Sequence, residues 1–549
     1  MLQAHEKGRS SLQQFVSTER LQVPCTTVGG PVAPGGVSAD QVPQLNPEGI
    51  EVKQFYDKLS KLALRNFATM SKPRKRSVKG HTFTLRYTRD LFHKMTIIAM
   101  SRGLDIDNIL QYPRGPMPYS LATESGGLVK TSKSALMHEL EKLVEPEEAP
   151  NMASSQVIIL DAMALIQSLK LAKNATFADL AEMILKIIIK HGSQSSNTTH
   201  IHWMCDTYPV ISIKNVERST RMMSAEGSFA TTITSPEQCV DKQLKKALRD
   251  GNFKESLTQF LITEWRKPKY ANIVGKHVLF ATSGSKCYVF KEDGGTMQRR
   301  EIPELNYVME EADQRLILHA YYASCQNPQP DVVIIRSPDT DVMVLATAAC
   351  GLGWISSKCI FLTRTASNKR YIKVTSIGSK LGRSACDGII GAHPFTGCDS
   401  TSAFNGQGTA CDLWLVHNDA TFCSAMASLG KSLHPPEEVF TSCEKATCIL
   451  YNFNARSKKL TSPSTYSVNE MRAIMFTSGT SDPSKLPPCK DALRKKVQRA
   501  NYQAYINRSC IQQKDMMPSP HGHGWIVSDD IQIDWMDMQP APSSVLALM

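Results

Sequence analysis

The stretch DVVIIRSPDTDVMVL, residues 331–345, carries an apolar run, Val332 to Ile335, into Asp339 and Asp341, two positions apart. The arrangement recurs: QVIIL at 156–160 leads into Asp161, and HIHWMC at 200–205 leads into Asp206. Glu310, Glu311 and Asp313 open MEEADQRLILHAYYAS, and Asp399 stands in the Gly-rich turn of GAHPFTGCDSTSAFNGQG. Each has an ordinary structural duty if taken singly. Acids cap helix N-termini and suit their dipoles, and an acid after a strand suits a turn. Taken together they describe something else. So many carboxylates at one place would repel and raise one another's pKa values unless a cation neutralised them. Hard divalent ions such as Mg²⁺ are held by oxygen ligands and keep positions open for water and phosphate. Two such ions about 4 Å apart suit the in-line displacement of a phosphoryl group. Residue types and spacing therefore point to metal-assisted phosphodiester hydrolysis.

The elements that must position these acids read as an α/β pattern. QVIIL, HIHWMC, HVLFAT (277–282), DVVIIR (331–336), KCIFLT (358–363) and YIKVTSI (371–377) are expected strands. Helical stretches lie between several of them. One is capped by Thr176 and Asp179, presents Phe177, Leu180, Ile184, Leu185 and Ile188 on one face, and ends near Gly192. Apolar strands alternating with helices imply a mainly parallel sheet covered on both faces. Ligand sites in such sheets form at the carboxyl ends of the strands, so the acids would share one rim. In an extended segment, period two turns Asp339 and Asp341 to the same side.

Length and composition bound the rest. The 549 residues exceed one ordinary core. Lys plus Arg outnumber Asp plus Glu, 63 to 51, for a net charge of +12, which favours polyanionic partners: nucleic acid first, an anionic membrane surface behind it. The 15 cysteines are scattered without zinc-knuckle spacing and read as small buried hydrophobes in a reducing compartment. No apolar run is long enough to span a bilayer. Residues 1–47, rich in Gly, Pro, Ser and Gln, read as a disordered tail. Residues 48–150 read as a mostly helical accessory region whose cluster Lys72, Arg74, Lys75, Arg76 and Lys79 is a nuclear import address, a phosphate patch or a solvated loop. Residues 151–415 form the expected core, 416–510 a helical region ending in the basic helix DALRKKVQRANYQAYI, and 511–549 a flexible tail whose His521 and His523 are weaker metal candidates.

The order and wording of the acidic motifs resemble the PIN-like nuclease core of the flap endonuclease and XPG-like family, over roughly residues 156–415. LDAMALIQSL resembles the opening motif, with Asp161 as the first metal-site acid. HWMCDTYPVISIKNVERSTR resembles the second, with Asp206 as the acid and Lys214, Arg218 and Arg221 as residues that could meet the scissile phosphate. EEADQRLILHA resembles the Glu-Ala-Glu motif, matched by Glu311-Ala312-Asp313 with Glu310 as the alternative register. SPDTDVMVL supplies Asp339 and Asp341, and GCDSTSAFNGQG supplies Asp399. The resemblance implies a magnesium- or manganese-dependent hydrolase with two ions, acting on DNA at flaps or branches, with RNA left open as substrate; the expected location is the nucleus, with the cytoplasm as the alternative. Residues 207–305 would hold an arch-like insertion, with Lys242, Lys245, Lys246 and Arg249 along one helical face as a phosphate stripe or a solvated one. Asp313 departs from the pattern by one methylene, and about 150 residues precede Asp161. The runner-up is a non-catalytic nucleic-acid-binding or scaffold protein that keeps the fold.

Overall fold

The computed structural model describes residues 74–78, 81–85 and 88–540, apart from breaks at 86–87, 114, 146–152, 170, 173, 194, 210–211, 215–231, 242–243, 309, 365–368, 409, 456–459, 478–479, 481, 515 and 529. The chain divides into two units, Met1–Tyr87 and Thr88–Met549. In the first, strand β1 (Arg74–Val78) pairs antiparallel with β2 (His81–Leu85), Arg74 opposite Leu85. Arg74, Lys75 and Arg76 of the basic cluster therefore lie on a strand and not in a loop or helix.

The second unit is built on an eight-stranded sheet. Its strands are β3 (Gln156–Asp161), β4 (Thr198–Met204), β5 (Val278–Ser283), β6 (Lys286–Asp293), β7 (Thr296–Glu301), β8 (Val332–Arg336), β9 (Lys358–Arg364) and β10 (Lys369–Lys373), in the order β10-β9-β8-β3-β4-β5-β6-β7. The five central strands, β9 to β5, are parallel and the three outer ones antiparallel. The fold is thus α/β with a mostly parallel sheet flanked by helices. Side chains alternate between two cores, as a sheet buried on both faces requires. Val157, Ile159, Val333, Ile335, Cys359 and Phe361 enter one. Ile158, Leu160, Val332, Ile334, Ile360 and Leu362 enter the other. The second core is closed by helix Phe177–Gly192, whose Thr176/Asp179 capping box forms as the sequence indicates. Among the described residues no helix is long and apolar enough to cross a membrane.

Four expectations need correction. Residues 244–301 are not an arch: they supply helix Gly251–Glu264 and then β5, β6 and β7 of the sheet itself. The hairpins β5-β6 and β6-β7 turn at Gly284 and at Gly294-Gly295, all with positive φ, the conformation that two-residue hairpin turns demand. The segment YIKVTSI is a strand only to Lys373, and a helix starts at Val374. The supposed basic stripe is broken as well. Helix Leu244–Ala247 stops before Arg249, Asp250 caps the next helix, and Lys242 lies outside the described residues.

Residues near the end of the described chain are ordered as well. Residues 516–540, read as a flexible tail, contain a hairpin of β11 (Trp525–Val527) and β12 (Ile531–Ile533) with Trp525 buried against Tyr502. The physical reason is that the basic helix Lys490–Arg508 and the acidic end satisfy each other. Lys495 pairs with Asp534 and Asp537, each at 2.7 Å, and buried Arg499 donates to the Gly524 and Asp534 carbonyls. His523 packs against Tyr502 and His434, and His521 Nδ1 accepts from the Val527 amide, so neither joins the acids described next.

Candidate active site

β3, β4 and β8 run parallel and in register, so their carboxyl ends deliver Asp161, Asp206 and the Ser337-Pro338-Asp339 turn to one edge. This is also where the strand order reverses, since the chain leaves β3 for β4 on one side and later adds β8 on the other. Asp161 caps helix Ala162–Ile166, its Oδ1 accepting the Ala164 amide at 3.2 Å. Its Oδ2 accepts the Ser337 hydroxyl at 3.1 Å, and the Ser337 oxygen accepts the Asp339 amide at 3.1 Å. Buried Ser337 therefore ties two strand ends together, a role that no local pattern of residues marks.

Asp339 and Asp341 do not share a side through strand alternation. Asp339 is the N-cap of helix Thr340–Gly351, its Oδ1 accepting the Asp341 amide at 2.9 Å, and Asp341 lies in the first turn. The run that follows, Val342 to Leu345, is buried because it is the start of a core helix. Asp206 caps a helix from a distance: its Oδ1 accepts the Ala312 amide at 2.9 Å, at the head of helix Ala312–Ser324. Buried Arg315 holds the approach by donating to the carbonyls of Cys205, Gly284 and Tyr307.

The register of the EEAD stretch follows from its partners. Glu311 Oε1 lies 3.0 Å from the Lys214 ammonium, and Asp313 faces Glu311, Asp339 and Asp341. Glu310 turns away and accepts from the Ser212 hydroxyl. Asp399 follows Gly397, whose φ of 125° and close approach to Ala403, 2.7 Å from where a Cβ would stand, leave room for glycine alone. Lys133, from helix Lys133–Glu141 of the supposed accessory region, lies 2.6 Å from Asp399 Oδ1 and 2.8 Å from Asp341 Oδ2. His393 Nε2 donates to Asp341 Oδ1 at 2.9 Å.

Electrostatics joins these contacts into one cluster. Burial and then the neighbouring Asp206 raise Asp161 above the usual carboxylate range. Burial, Asp339 and Glu311 raise Asp313 well above it, with Lys214 offsetting part of the effect. Asp339 is pushed up to about 6 by burial and by Asp341. Burial would raise Asp341 too, but His393 and Lys133 outweigh it and hold that carboxyl well below the usual range. Burial opposes the charge on Lys133, yet Asp341, Asp339 and Asp399 together raise it. Lys214 is raised likewise, against burial, by Glu311, Asp313, Asp206 and Asp399. Asp161 thus feels Asp206, and Asp206, Glu311, Asp313, Asp339, Asp341 and Asp399 each act on Lys133 or Lys214.

The donor set is all carboxylate oxygen, the kind that suits Mg²⁺ or Mn²⁺, and the repulsion that raises Asp161, Asp313 and Asp339 is what a cation would relieve. Among the described residues no group of three or more His, Cys, Asp or Glu side chains is placed to hold a metal ion; two ammoniums take the neutralising role instead. Lys214 pairs with Glu311 beside the acids, while Arg218 and Arg221 lie outside the described residues. Lys133, His393, Ser337 and Arg315 were missed. His393 stood in the quoted GAHPFTGCD stretch and could have been weighed, whereas Lys133 meets Asp341 across 208 positions of sequence and no local pattern marks it. No protein-family model and no curated protein matches the chain.

Proposed function

We propose that the chain is a divalent-metal-dependent nuclease with a PIN-like core, hydrolysing phosphodiester bonds in DNA, with flapped or branched structures as the favoured substrates. The observation that supports this reading most is that Asp161, Asp206 and Asp339 follow the carboxyl ends of neighbouring parallel strands, while Glu311, Asp313, Asp341 and Asp399 come from two helix starts and a turn whose charges act on the same lysines and acids. Six of them, all but Asp313, have a cap or salt-bridge duty, but none of those duties requires that they meet. A surface for polyanions has no use for such a collection, whereas hydrolysis of phosphate esters has one. Asp161, Asp206, Glu311, Asp313 and Asp339, with Asp341 and Asp399, would hold Mg²⁺ or Mn²⁺. When bound, the metal supplies activation of water and neutralisation of charge on the phosphoryl group.

The chain's own residues do the rest. Lys214, held by Glu311, would meet the phosphate. His393 fixes the orientation of Asp341, and Ser337 fixes Asp161 relative to Asp339. No side-chain nucleophile is required. The alternative, a catalytically inactive nucleic-acid-binding or scaffold protein, draws on one observation: Lys133 and Lys214 already neutralise part of the acidic cluster.

The deciding experiment incubates full-length protein with labelled single-stranded, duplex, flap and hairpin DNA and matched RNA, in Mg²⁺, Mn²⁺ or EDTA, beside the double variant Asp339→Ala/Asp341→Ala. Cleavage that disappears with EDTA and with the double variant is expected. Tight binding with no metal-dependent cleavage of any substrate would favour the scaffold.

A further inference from the structure

Lys133 is not a surface lysine that happens to find an acid. Its ammonium lies 2.8 Å from Asp341 Oδ2 and 2.6 Å from Asp399 Oδ1, the separations of charge-assisted hydrogen bonds. The other oxygen of Asp341 is taken by His393 Nε2, so both oxygens of that carboxylate face protein donors. The backbone around Lys133 is anchored on either side. Upstream, the Ala403 amide donates to the Val129 carbonyl at 2.8 Å, and Lys130 Nζ donates to the Asp399 carbonyl at 2.6 Å. Downstream, Leu136 and Leu140 are buried and line an apolar hollow with Val344, Ile389 and Val416. Exposed ion pairs contribute little because two long side chains must be ordered to make them; here the surrounding chain is already ordered by other contacts.

The geometry points to Lys133 as a resident cation, whose ammonium fills the place between Asp341 and Asp399 that a second divalent ion would take, so that the chain binds one divalent ion and not two. This rests on the metal-dependent reading above and narrows it. The single ion falls to the remaining acids, Asp161, Asp206, Glu311, Asp313 and Asp339. An ion shared by Asp341 and Asp399 would have to sit about 2.0–2.1 Å from their oxygens, in the space that the Lys133 nitrogen occupies. Entry of that ion would expel the ammonium from two acceptors at once and leave a charge beside a dication. A fixed lysine neutralises the pair at all ion concentrations but provides no open coordination position. It can steady a phosphate oxygen and cannot activate a water as a metal does.

The test counts ions and does not depend on cleavage. Full-length protein is titrated with Mn²⁺, and the free ion is read from its electron paramagnetic resonance signal. The native chain and Lys133→Arg are expected to bind one Mn²⁺ each, and Lys133→Met two. Two ions in the native chain, or any count in Lys133→Met other than one more than the native chain, overturns the inference while leaving a metal-dependent enzyme standing. No ion bound by any of the proteins removes the metal-dependent reading and this inference with it. Thermal melts establish that each variant is folded, and Lys133→Gln takes the place of Lys133→Met should the latter fail to fold.

Discussion

A buried charge is tolerated where something answers it, and the chain contains answered and poorly answered cases side by side. Lys133 and Lys214 sit among carboxylates that raise them, whereas Lys496, fully buried on helix Lys490–Arg508, has Asp412 and Cys398 to raise it, and they do not offset its burial. Its ammonium donates to the Ser402 carbonyl and lies over the Phe404 ring, 4.4 Å from the centroid. Burial, with the charge of Arg499, pushes it down to about 7. The folded chain therefore releases this proton at about 7, while the unfolded chain keeps it to the ordinary value of 10.5. Across that window the unfolded state binds more protons, so stability gains from Lys496 as pH rises, and the penalty is greatest below about 7. Lys496→Met should remove that rising component and hold or raise stability at neutral pH, because an apolar side chain of similar length replaces a buried charge. Urea melts of both proteins between pH 6 and 10 check it; the same pH slope in both would count against this account. The sequence showed Lys496 only as one cation in a basic helix, because burial is decided by partners more than 90 positions away.

At the scale of elements, the legible parts were those with a strong local signal. β3, β4, β5, β8 and β9 are apolar runs, and helix Phe177–Gly192 announces itself by its capping box and apolar stripe. β6 and β7 were missed because an edge hairpin is polar on one face, and KCYVFKED and TMQRRE carry little apolar weight. Their turn residues, Gly284 and Gly294-Gly295, were the readable signal. The closing hairpin was misread for a different reason: its composition resembles a tail, and its order comes from docking on a distant helix. That docking is measurable. Trp525 is 2% exposed and packs edge-on against Tyr502, so Trp525→Ala should cost about 3 kcal/mol and open residues 516–540 to limited proteolysis. A silent substitution would mean that the hairpin contributes nothing to the fold.

For the whole molecule, the site was legible because the sheet converts sequence order into spatial order. Parallel strands in register bring Asp161, Asp206 and Asp339 to one end however far apart they lie in the chain, so finding acids after strands was enough to expect them together. The cations that answer them were not legible, since Lys133 arrives on a helix outside the strand pattern. Charge at this scale carries the last prediction. The chain bears +12 overall, and seven of its 51 acidic residues belong to the candidate site. Cations elsewhere, including exposed Lys245 and Arg249, would be the ones to meet a polyanion. If nucleic acid is the partner, its affinity must come largely from counterion release, whose logarithmic salt slope is about 0.9 per phosphate contacted on duplex DNA. Binding of the uncut duplex by Asp339→Ala/Asp341→Ala, followed by fluorescence anisotropy, should therefore weaken by at least about tenfold between roughly 50 and 200 mM salt. Divalent-ion binding to the native chain should change less over the same range, because partly buried charges are screened less than exposed ones. A duplex affinity indifferent to salt would place the basic residues outside the contact and remove the electrostatic argument for a nucleic-acid substrate.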